Sequence, residues 1–295
     1  MALGMLGAFS AIPLERMLDS HVDVITVVVP APSPTALPAR VLAFPPLPAM
    51  EFRLAPATQR NVVQLARDHA IPVLEVGRMA DPQTLSLLRA LQPDLIVAAC
   101  FPFILPRSML QAPTHGCWNL HPSLLPRLRG PAPLFWVFHE GCCAGVTLHW
   151  MSKRVDAGEI IAQQPLAFPD GMRYAEAEQA CAQAGARLLL DALHELERGL
   201  LRTRAQDECE ASAFPSPGEN DFIVTQDWPV RRAFNFIRGV QGFAGPCTIR
   251  AGEKDFAVAE AVAYRSGSHP SQAYQVEGER LCVRCADGVL EVRIK

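Results

Sequence analysis

The sequence predicts an α/β protein built on a mainly parallel β-sheet, because strand-like and helix-like segments alternate through its first half. Residues 22–30 form a near-continuous β-branched run, which is typical of a strand buried on both faces. Residues 71–76 and 93–101 are similar, and helical periodicity fills residues 58–70 and 81–91 between them. Strands and helices that alternate in this rhythm form right-handed βαβ units and a parallel sheet.

The last part of the chain has a different pattern, which predicts a small C-terminal β-barrel domain. Apolar and polar residues alternate there in short segments, and Gly252, Gly278 and Gly288 mark the expected tight turns. A polar stretch that contains prolines and lacks periodicity precedes this region. We therefore expect an α/β domain at residues 1–201, a linker at 202–221 and a β-barrel of OB type at 222–295.

Start signals place several helices. Asp81 followed by Pro82 is a strong N-terminal signal, and Thr58 is a candidate N-cap for the helix before it. Residues 174–200 have the periodicity of one long amphipathic helix that ends near Gly199. Residues 229–240 predict a further short helix.

Composition narrows the class of protein. The 295 residues are 49% hydrophobic and 19% charged, with a net charge of −3, so nothing favours binding to nucleic acid or to a membrane surface. Nine cysteines without framework spacing and the lack of a signal peptide predict reduced thiols in a cytoplasmic protein. Eight prolines between residues 30 and 56 predict a long loop, either a plain surface loop or one that walls a binding cleft.

The segment WNLHPSLLPRLRGPAPLFW, residues 118–136, carries the strongest chemical signal. Asn119 and His121 are two residues apart, so an extended backbone places both side chains on one side. An amide beside an imidazole can stabilise an oxyanion and move a proton. Pro122 and Pro126 stiffen the backbone around the pair. The alternative for this histidine is a purely structural role.

This segment, together with GVTLHWMSKRVDAGEII after it, resembles the signature of the 10-formyltetrahydrofolate-dependent formyltransferases, and methionyl-tRNA formyltransferases are similar in layout. The resemblance extends over nearly the whole chain and implies a Rossmann-like catalytic domain of the formyltransferase type. The residues that match the family pattern are Asn119, His121, the loop residues Ser123, Leu124, Leu125 and Pro126, Arg129, Gly130, and the Asp156-Ala157-Gly158 loop.

The resemblance implies the chemistry. The family transfers a formyl group from 10-formyltetrahydrofolate to a primary amine and needs no metal. By the resemblance, Asn119 and His121 stabilise the oxyanion of the tetrahedral intermediate. Asp156 orients or charges His121, keeps its imidazole protonated and helps to take the proton from the amine. Ser123 positions the loop, since it lacks the setting of a nucleophilic serine.

The resemblance also implies where the pterin ring of folate binds, namely to backbone after the strand at residues 93–101 and around the Asp156 loop. An aromatic-glycine pair is frequent in the family at the first place, and this chain has Phe101-Pro102-Phe103 instead. The proline removes one backbone donor. The residues expected to bind folate are Cys100, Phe101, Pro102, Phe103, Leu105, Val155, Ala157 and Gly158.

The amine acceptor is where this chain departs from tRNA-binding relatives. Residues 27–56 contain only Arg40 and Arg53 as bases, so the basic loop that grips the acceptor stem is missing. From residue 209 onwards, ten Lys or Arg face eleven Asp or Glu. We therefore expect a small amine, such as an amino sugar or an amino acid derivative, with Arg127 and Arg129 available to an anionic acceptor.

Other interpretations stay open at this point. Methionyl-tRNA itself is the alternative acceptor, and Arg231, Arg232 and Arg238 then form either a basic patch or a solvated helix face. A hydrolase that gives the formyl group to water, and a binding protein that has lost catalysis, are the alternative functions.

Two further features of the sequence do not indicate a functional site. Cys282 and Cys285 form a single Cys-x-x-Cys pair, which does not predict zinc. His139 and His149 are interpreted as structural histidines.

Overall fold

The computed structural model describes residues 1–32, 39–42, 60–243, 246–267 and 271–295. Its contacts divide the chain into two compact units. The first unit contains Met1–Arg129, Gly145–Gln164 and Gln179–Ala211. The second contains Gly130–Ala144, Pro165–Glu178 and Ser212–Lys295. The domain boundaries expected from sequence stay a prediction.

An eight-stranded sheet organises the first unit, in the order β3-β4-β2-β1-β5-β6-β7-β8. Parallel pairing joins β4, β2, β1, β5 and β6, whereas β3 and β7 pair antiparallel to their neighbours. The mainly parallel α/β sheet is thus confirmed. Its strands are β1 (Ala2–Gly4), β2 (Val27–Pro30), β3 (Arg40–Val41), β4 (Val73–Val76), β5 (Ile96–Ala99), β6 (Cys117–His121), β7 (Ala144–Trp150) and β8 (Ile160–Leu166).

Two helices, α2 (Val62–Asp68) and α3 (Pro82–Ala90), begin where short polar side chains satisfy free backbone N–H groups. Asp81 accepts a bond from the Thr84 N–H at 2.7 Å and caps α3, as predicted. Thr58 lies outside the described residues, and Asn61 caps α2 in a capping box with Gln64. The helices are α1 (Ala8–Leu18), α2 (Val62–Asp68), α3 (Pro82–Ala90), α4 (Arg107–Leu110), α5 (Pro133–Glu140), α6 (Tyr174–Glu197) and α7 (Val230–Val240).

The proline-broken segment at residues 118–136 is less irregular than its composition predicts. Its first residues belong to β6, and its last belong to α5, which starts with Pro133 in the first turn. Only residues 122–132 form a loop. Most of the proline-rich stretch at residues 30–56 lies outside the described residues, and so does Arg53.

The second unit contains a six-stranded mixed sheet in the order β12-β13-β14-β11-β10-β9. A closed barrel is not confirmed, because in the described part of the chain no ladder joins the end strands β12 and β9. The Gln226 side chain instead reaches across, donating to the Ala273 and Arg284 carbonyls at 2.9 Å each. The strands are β9 (Ile223–Thr225), β10 (Thr248–Ala251), β11 (Lys254–Ser266), β12 (Tyr274–Glu277), β13 (Arg280–Cys285) and β14 (Gly288–Ile294).

Gly252 and Gly278 have φ of 61° and 62° in tight turns, as expected from their positions between strands. Gly288 is different, because it starts β14 and a Cβ there would lie 2.2 Å from the Arg265 carbonyl oxygen. Among the described residues, no helix has the length and apolar character needed to cross a membrane.

Candidate active site

Asn119 and His121 lie on one face of β6, and the antiparallel neighbour β7 places two more polar side chains opposite them. The register pairs Asn119 with His149 and His121 with Thr147. Residues that are directly opposite in an antiparallel pair share a face of the sheet. Thr147, His121 and His149 are buried, which is unusual for polar side chains and requires hydrogen-bond partners.

Asp156 completes this group from the loop between β7 and β8. Its Oδ1 lies 3.4 Å from Asn119 Nδ2 and 3.6 Å from His149 Nε2, and its Oδ2 lies 3.7 Å from His121 Nδ1. Asp156 has φ of 52°, a left-handed conformation that costs free energy for a residue other than glycine. The structure therefore brings together the three residues predicted to be catalytic, and it holds the carboxylate in a strained backbone conformation.

The sequence predicts a structural role for His149, but this residue lies inside the site. Its Nδ1 is 2.8 Å from the Trp150 carbonyl oxygen, which requires an N–H there. With its proton on Nδ1, the ring has a lone pair on Nε2, and this atom accepts a bond from Asn119 Nδ2 at 3.1 Å. His149 thus fixes which end of the Asn119 amide faces the site.

The protonation of His121 follows from its surroundings. Its Nε2 lies 2.9 Å from the Leu128 carbonyl oxygen, so Nε2 carries the proton and Nδ1 faces Asp156. Burial lowers the pKa of His121 below its usual range. Asp156 and the Leu128 carbonyl act in the opposite direction, and His149 adds to the lowering. The largest of these effects is burial, which favours a neutral resting ring, whereas the resemblance implies an imidazole that Asp156 keeps protonated.

The loop after His121 is fixed by side chains beneath it. The Ser123 hydroxyl is fully buried and donates to the Arg127 carbonyl oxygen at 2.9 Å, a positioning contact. Thr147 Oγ1 donates to the Ser123 carbonyl oxygen and accepts from the Leu125 N–H and from Gln163 Nε2. All the hydrogen-bonding capacity of this hydroxyl is thus used to hold the loop.

A segment from the expected linker packs against the same site. Within the first unit, residues 203–210, which we call the arm, place Gln206 Nε2 at 2.8 Å from the Asp156 carbonyl oxygen and at 2.7 Å from that of Gly158. Gln206 and Glu208 also accept bonds from the buried Arg129 guanidinium. Arg129 and then Arg154 lower the pKa of Glu208 to about 2.

Comparisons with known proteins decide the family. The formyl transferase family model matches residues 8–193, well over half of the chain. The chain belongs to the formyl transferase family. Two curated relatives are methionyl-tRNA formyltransferases. That of Chlamydia muridarum is 31% identical over 97% of this chain and 88% of its own. That of Moorella thermoacetica is 37% identical over 62% of this chain and 60% of its own.

Solved structures support the fold of this formyltransferase. An N-formyltransferase from Helicobacter canadensis, in complex with folinic acid and dTDP-3-aminofucose, has a TM-score of 0.68 at 14% identity and is matched over 100% of this chain and 98% of its own. A sugar 3N-formyl transferase has a TM-score of 0.64 at 13% identity, and the match covers 100% of this chain and 96% of the other. The predictions of an enzyme, of formyl transfer and of formyltetrahydrofolate as donor are therefore confirmed.

The residues expected to bind folate lie in two loops of this formyltransferase. After β5, Cys100 has φ of 56° and is exposed, as is Pro102, whereas the side chain of Leu105 is buried in the core. Leu105 therefore offers only its backbone to a ligand. Phe101 and Phe103 pack edge to face, with ring centroids 5.5 Å apart.

In the second loop, Val155 is exposed, Ala157 is half-buried and Gly158 is buried. Among the matched motif residues, Leu125 is buried, and Leu124 and Pro126 are half-buried. In the second unit, Gly130 has φ of 121°, and a Cβ there would lie 2.1 Å from the Phe214 carbonyl oxygen, so only glycine fits.

Metal binding has no support in the part of the chain that is described, since no group of three or more His, Cys, Asp or Glu side chains is placed to hold an ion. Cys282 and Cys285 are free thiols, and burial raises the pKa of Cys285 to about 12.

Replacing Gly158 with Ala is expected to displace the Asp156 loop, because the new Cβ would lie 1.8 Å from the Trp150 carbonyl oxygen. We expect a stability loss of about 1–3 kcal/mol and a kcat reduced on the order of 10- to 100-fold by misplacement of Asp156. Thermal unfolding and initial rates measure both effects. Gly218→Ala is the matched control, since its nearest neighbour would be 3.8 Å away. Unchanged kcat in Gly158→Ala would contradict the expected movement.

Proposed function

We propose that Asn119, His121 and Asp156 catalyse the transfer of the formyl group from 10-formyltetrahydrofolate to a primary amine, with a small amine as the acceptor. The observation that carries this proposal is their mutual contact, with Asp156 within 3.7 Å of both other side chains. An amide donor, an imidazole and a carboxylate in one group are the parts that acyl transfer to an amine needs.

His121 is the proton acceptor in this proposal. As the amine nitrogen bonds to the formyl carbon, it releases a proton, and the lone pair on His121 Nδ1 takes it. The imidazolium that forms lies 3.7 Å from the Asp156 carboxylate, which stabilises its charge. The same proton then returns to the folate nitrogen as it leaves, so His121 ends the cycle neutral.

Asn119 stabilises the negative charge that develops on the formyl oxygen. One amide hydrogen is engaged by His149 at 3.1 Å, and the other makes a long bond of 3.4 Å to Asp156. The long bond is the weaker one. It is therefore the bond that Asn119 exchanges for a bond to the oxyanion, while His149 keeps the amide in place.

Formyltetrahydrofolate supplies an activated formyl group, and the residues that would hold it are those expected from the resemblance. Exposed backbone and apolar surface at Cys100, Pro102 and Val155 suit a flat ring with polar edges. Ala157 and Gly158 belong to the same loop as Asp156, so this placement puts the donor beside the three catalytic side chains.

A small acceptor is favoured by the charge pairing of arginines. In the second unit, Arg231 pairs with Asp170 at 2.8 Å and Arg238 pairs with Glu260 at 2.8 Å. Arg232 lies over the Trp228 ring at 3.9 Å. Phosphate contacts dominate nucleic-acid affinity, and arginines already paired with carboxylates contribute less to it. These contacts indicate a helix face whose arginines bind neighbouring side chains, rather than a patch that binds phosphates.

The expectation that Arg127 and Arg129 are available to an anionic acceptor does not fit their contacts. Arg127 pairs with Glu210, and Arg129 is only 7% exposed and pairs with Glu208 at 2.9 Å. An acceptor that needs no new arginine contact, such as a neutral amino sugar or an amino acid derivative, agrees best with this arrangement.

Methionyl-tRNA is the second candidate acceptor, and one observation favours it. The Chlamydia muridarum relative named for that activity is 31% identical over 97% of this chain. A hydrolase would need only water in place of the amine. We further propose a cytoplasmic location and keep residues 1–201, 202–221 and 222–295 as the catalytic domain, the linker and an OB-like β-barrel.

The test is the rate of loss of 10-formyltetrahydrofolate, followed by absorbance with each acceptor and with none. Acceleration by amino sugars or amino acids but not by methionyl-tRNA is the expected result. Acceleration by methionyl-tRNA alone would overturn the proposed acceptor and leave the proposed catalytic residues in place. Equal rates with and without any amine would identify a hydrolase.

A further inference from the structure

The side chain of Gln206 holds the backbone of the Asp156 loop from outside. We infer that Gln206 is a positioning residue for catalysis, which sets the place of the Asp156 carboxylate by binding the backbone on both sides of it. This inference rests on the proposed function, since it concerns the same site. Gln206 touches no reacting group and acts only through Asp156.

The contacts of Gln206 use the whole of its amide. Both hydrogens of Nε2 are engaged, one by the Asp156 carbonyl at 2.8 Å and one by the Gly158 carbonyl at 2.7 Å. Its Oε1 accepts from Arg129 Nη2 at 2.8 Å and from Arg129 Nε at 3.2 Å. A carboxamide is the neutral side chain that donates two bonds and accepts two, and only asparagine, which is one methylene shorter, shares this group with glutamine.

The backbone that Gln206 binds is the strained part of the loop. Asp156 has φ of 52°, and such a conformation persists only where the surroundings hold it. The two carbonyls bound by Gln206 flank Ala157, so the bonds fix the turn that aims the Asp156 carboxylate. Without them, the loop can relax, and the distance from Asp156 to His121 is no longer set.

The arm itself is anchored, so Gln206 is a fixed point rather than a flexible one. The Arg204 and Ile160 backbones exchange two hydrogen bonds of 2.8 and 2.9 Å. Glu208 binds Arg129 at 2.9 Å and Arg154 at 2.6 Å. Arg129 is mostly buried and belongs to the loop after β6. The arm therefore links the loop after β6 to the loop after β7, which are the two loops that carry the site.

A loosened Asp156 has a measurable effect on His121. Two titratable groups face the His121 ring, namely Asp156 from its loop and His149 from β7, and the Leu128 carbonyl holds its other nitrogen. Asp156 raises the pKa of His121, and His149 lowers it. When Asp156 moves away, His121 therefore loses its proton at a lower pH than in the unaltered protein.

The experiment compares Gln206→Ala and Gln206→Glu with Gln226→Ala. Gln206→Glu keeps the shape and the acceptors for Arg129 but lacks both donors, so it should behave like the alanine variant. Gln226 is the matched control, because it also donates to two backbone carbonyls, at 2.9 Å each, and accepts from the Gly252 N–H. It lies in the second unit and contacts none of the catalytic residues.

Three readouts separate positioning from a general structural role. Both Gln206 variants should lose kcat on the order of 10- to 100-fold, with the acidic limb of the pH–kcat profile moved to lower pH. NMR titration of ring-labelled histidine, with His121 assigned by its absence in His121→Asn, should give the same downward shift in pKa. Gln226→Ala should lose thermal stability but keep kcat and the His121 titration.

Several results would overturn the inference. They are an unchanged His121 titration in both Gln206 variants, a loss of kcat without any shift in the acidic limb, or an equal loss of kcat in Gln226→Ala. If the unaltered protein transfers no formyl group to any acceptor, the proposed function fails. The NMR titration then still decides whether Gln206 controls Asp156, since it needs no turnover.

Discussion

Replacing Asn119 with Ala is expected to lower kcat about 100- to 1,000-fold, the usual effect of removing one donor to a developing oxyanion. The KM for the folate donor should change little, because the bond from Asn119 forms mainly as charge develops. The fold should survive, since the side chain is only half-buried at the surface of the sheet. Initial rates at saturating donor and acceptor, together with thermal unfolding, measure both effects.

Asn220→Ala provides the control for this variant, because Asn220 is exposed on the short helical turn at Glu219–Phe222. It should keep full activity. A loss of less than about 10-fold in Asn119→Ala, well below the usual range for an oxyanion donor, would remove Asn119 from the reaction. A rise in KM with unchanged kcat would instead make it a binding residue.

Replacing Asp156 with Asn is expected to lower kcat on the order of 100- to 10,000-fold, the range associated with proton-transfer groups. The isosteric amide keeps the shape of the loop, but it cannot stabilise the imidazolium of His121. His121 must be neutral to accept the proton of the amine, so kcat rises as pH increases through the pKa of His121. Asp156 raises that pKa, so in Asp156→Asn the acidic limb should move to lower pH.

The pH–kcat profile of Asp156→Asn should be compared with that of Asp255→Asn. Asp255 also pairs with a cation, Arg250, at 2.8 Å, but it lies in the second unit on an exposed strand pair. Its variant should keep the profile of the unaltered protein. If kcat instead falls as pH rises through the pKa of His121, and this alkaline limb moves to lower pH in Asp156→Asn, His121 acts in its charged form and the proposed direction of proton transfer is wrong.

Local signals in the sequence predict what local contacts determine. Asp81 caps α3 as expected, because an N-cap satisfies N–H groups only two or three residues away. The spacing of Asn119 and His121 predicts a shared face, because side chains in a strand repeat every two residues. The parallel sheet is also predicted from a local signal, because a continuous apolar run marks a strand that is buried on both faces.

Local sequence patterns do not predict contacts between segments that are distant along the chain. His149 joins the site through the register of β7 against β6, which no pattern around residue 149 reveals. Gln206 lies in a polar stretch without periodicity, so its composition predicts a linker and hides the bonds to the Asp156 loop. The lowered pKa of His121 results from burial, and a motif alone gives no measure of burial.

The hydrogen bonds between the arm and the Asp156 loop affect the order in which the site forms during synthesis. Gln206 follows Asp156 by 50 residues along the chain. At a synthesis rate of roughly 5–20 residues per second, the ribosome adds Gln206 about 3–10 s after Asp156. All eight strands of the first sheet precede Gln206, so their synthesis is complete before the turn at Asp156 can gain its two bonds. The reactive geometry can therefore be completed only after the whole scaffold of the first sheet has been synthesised.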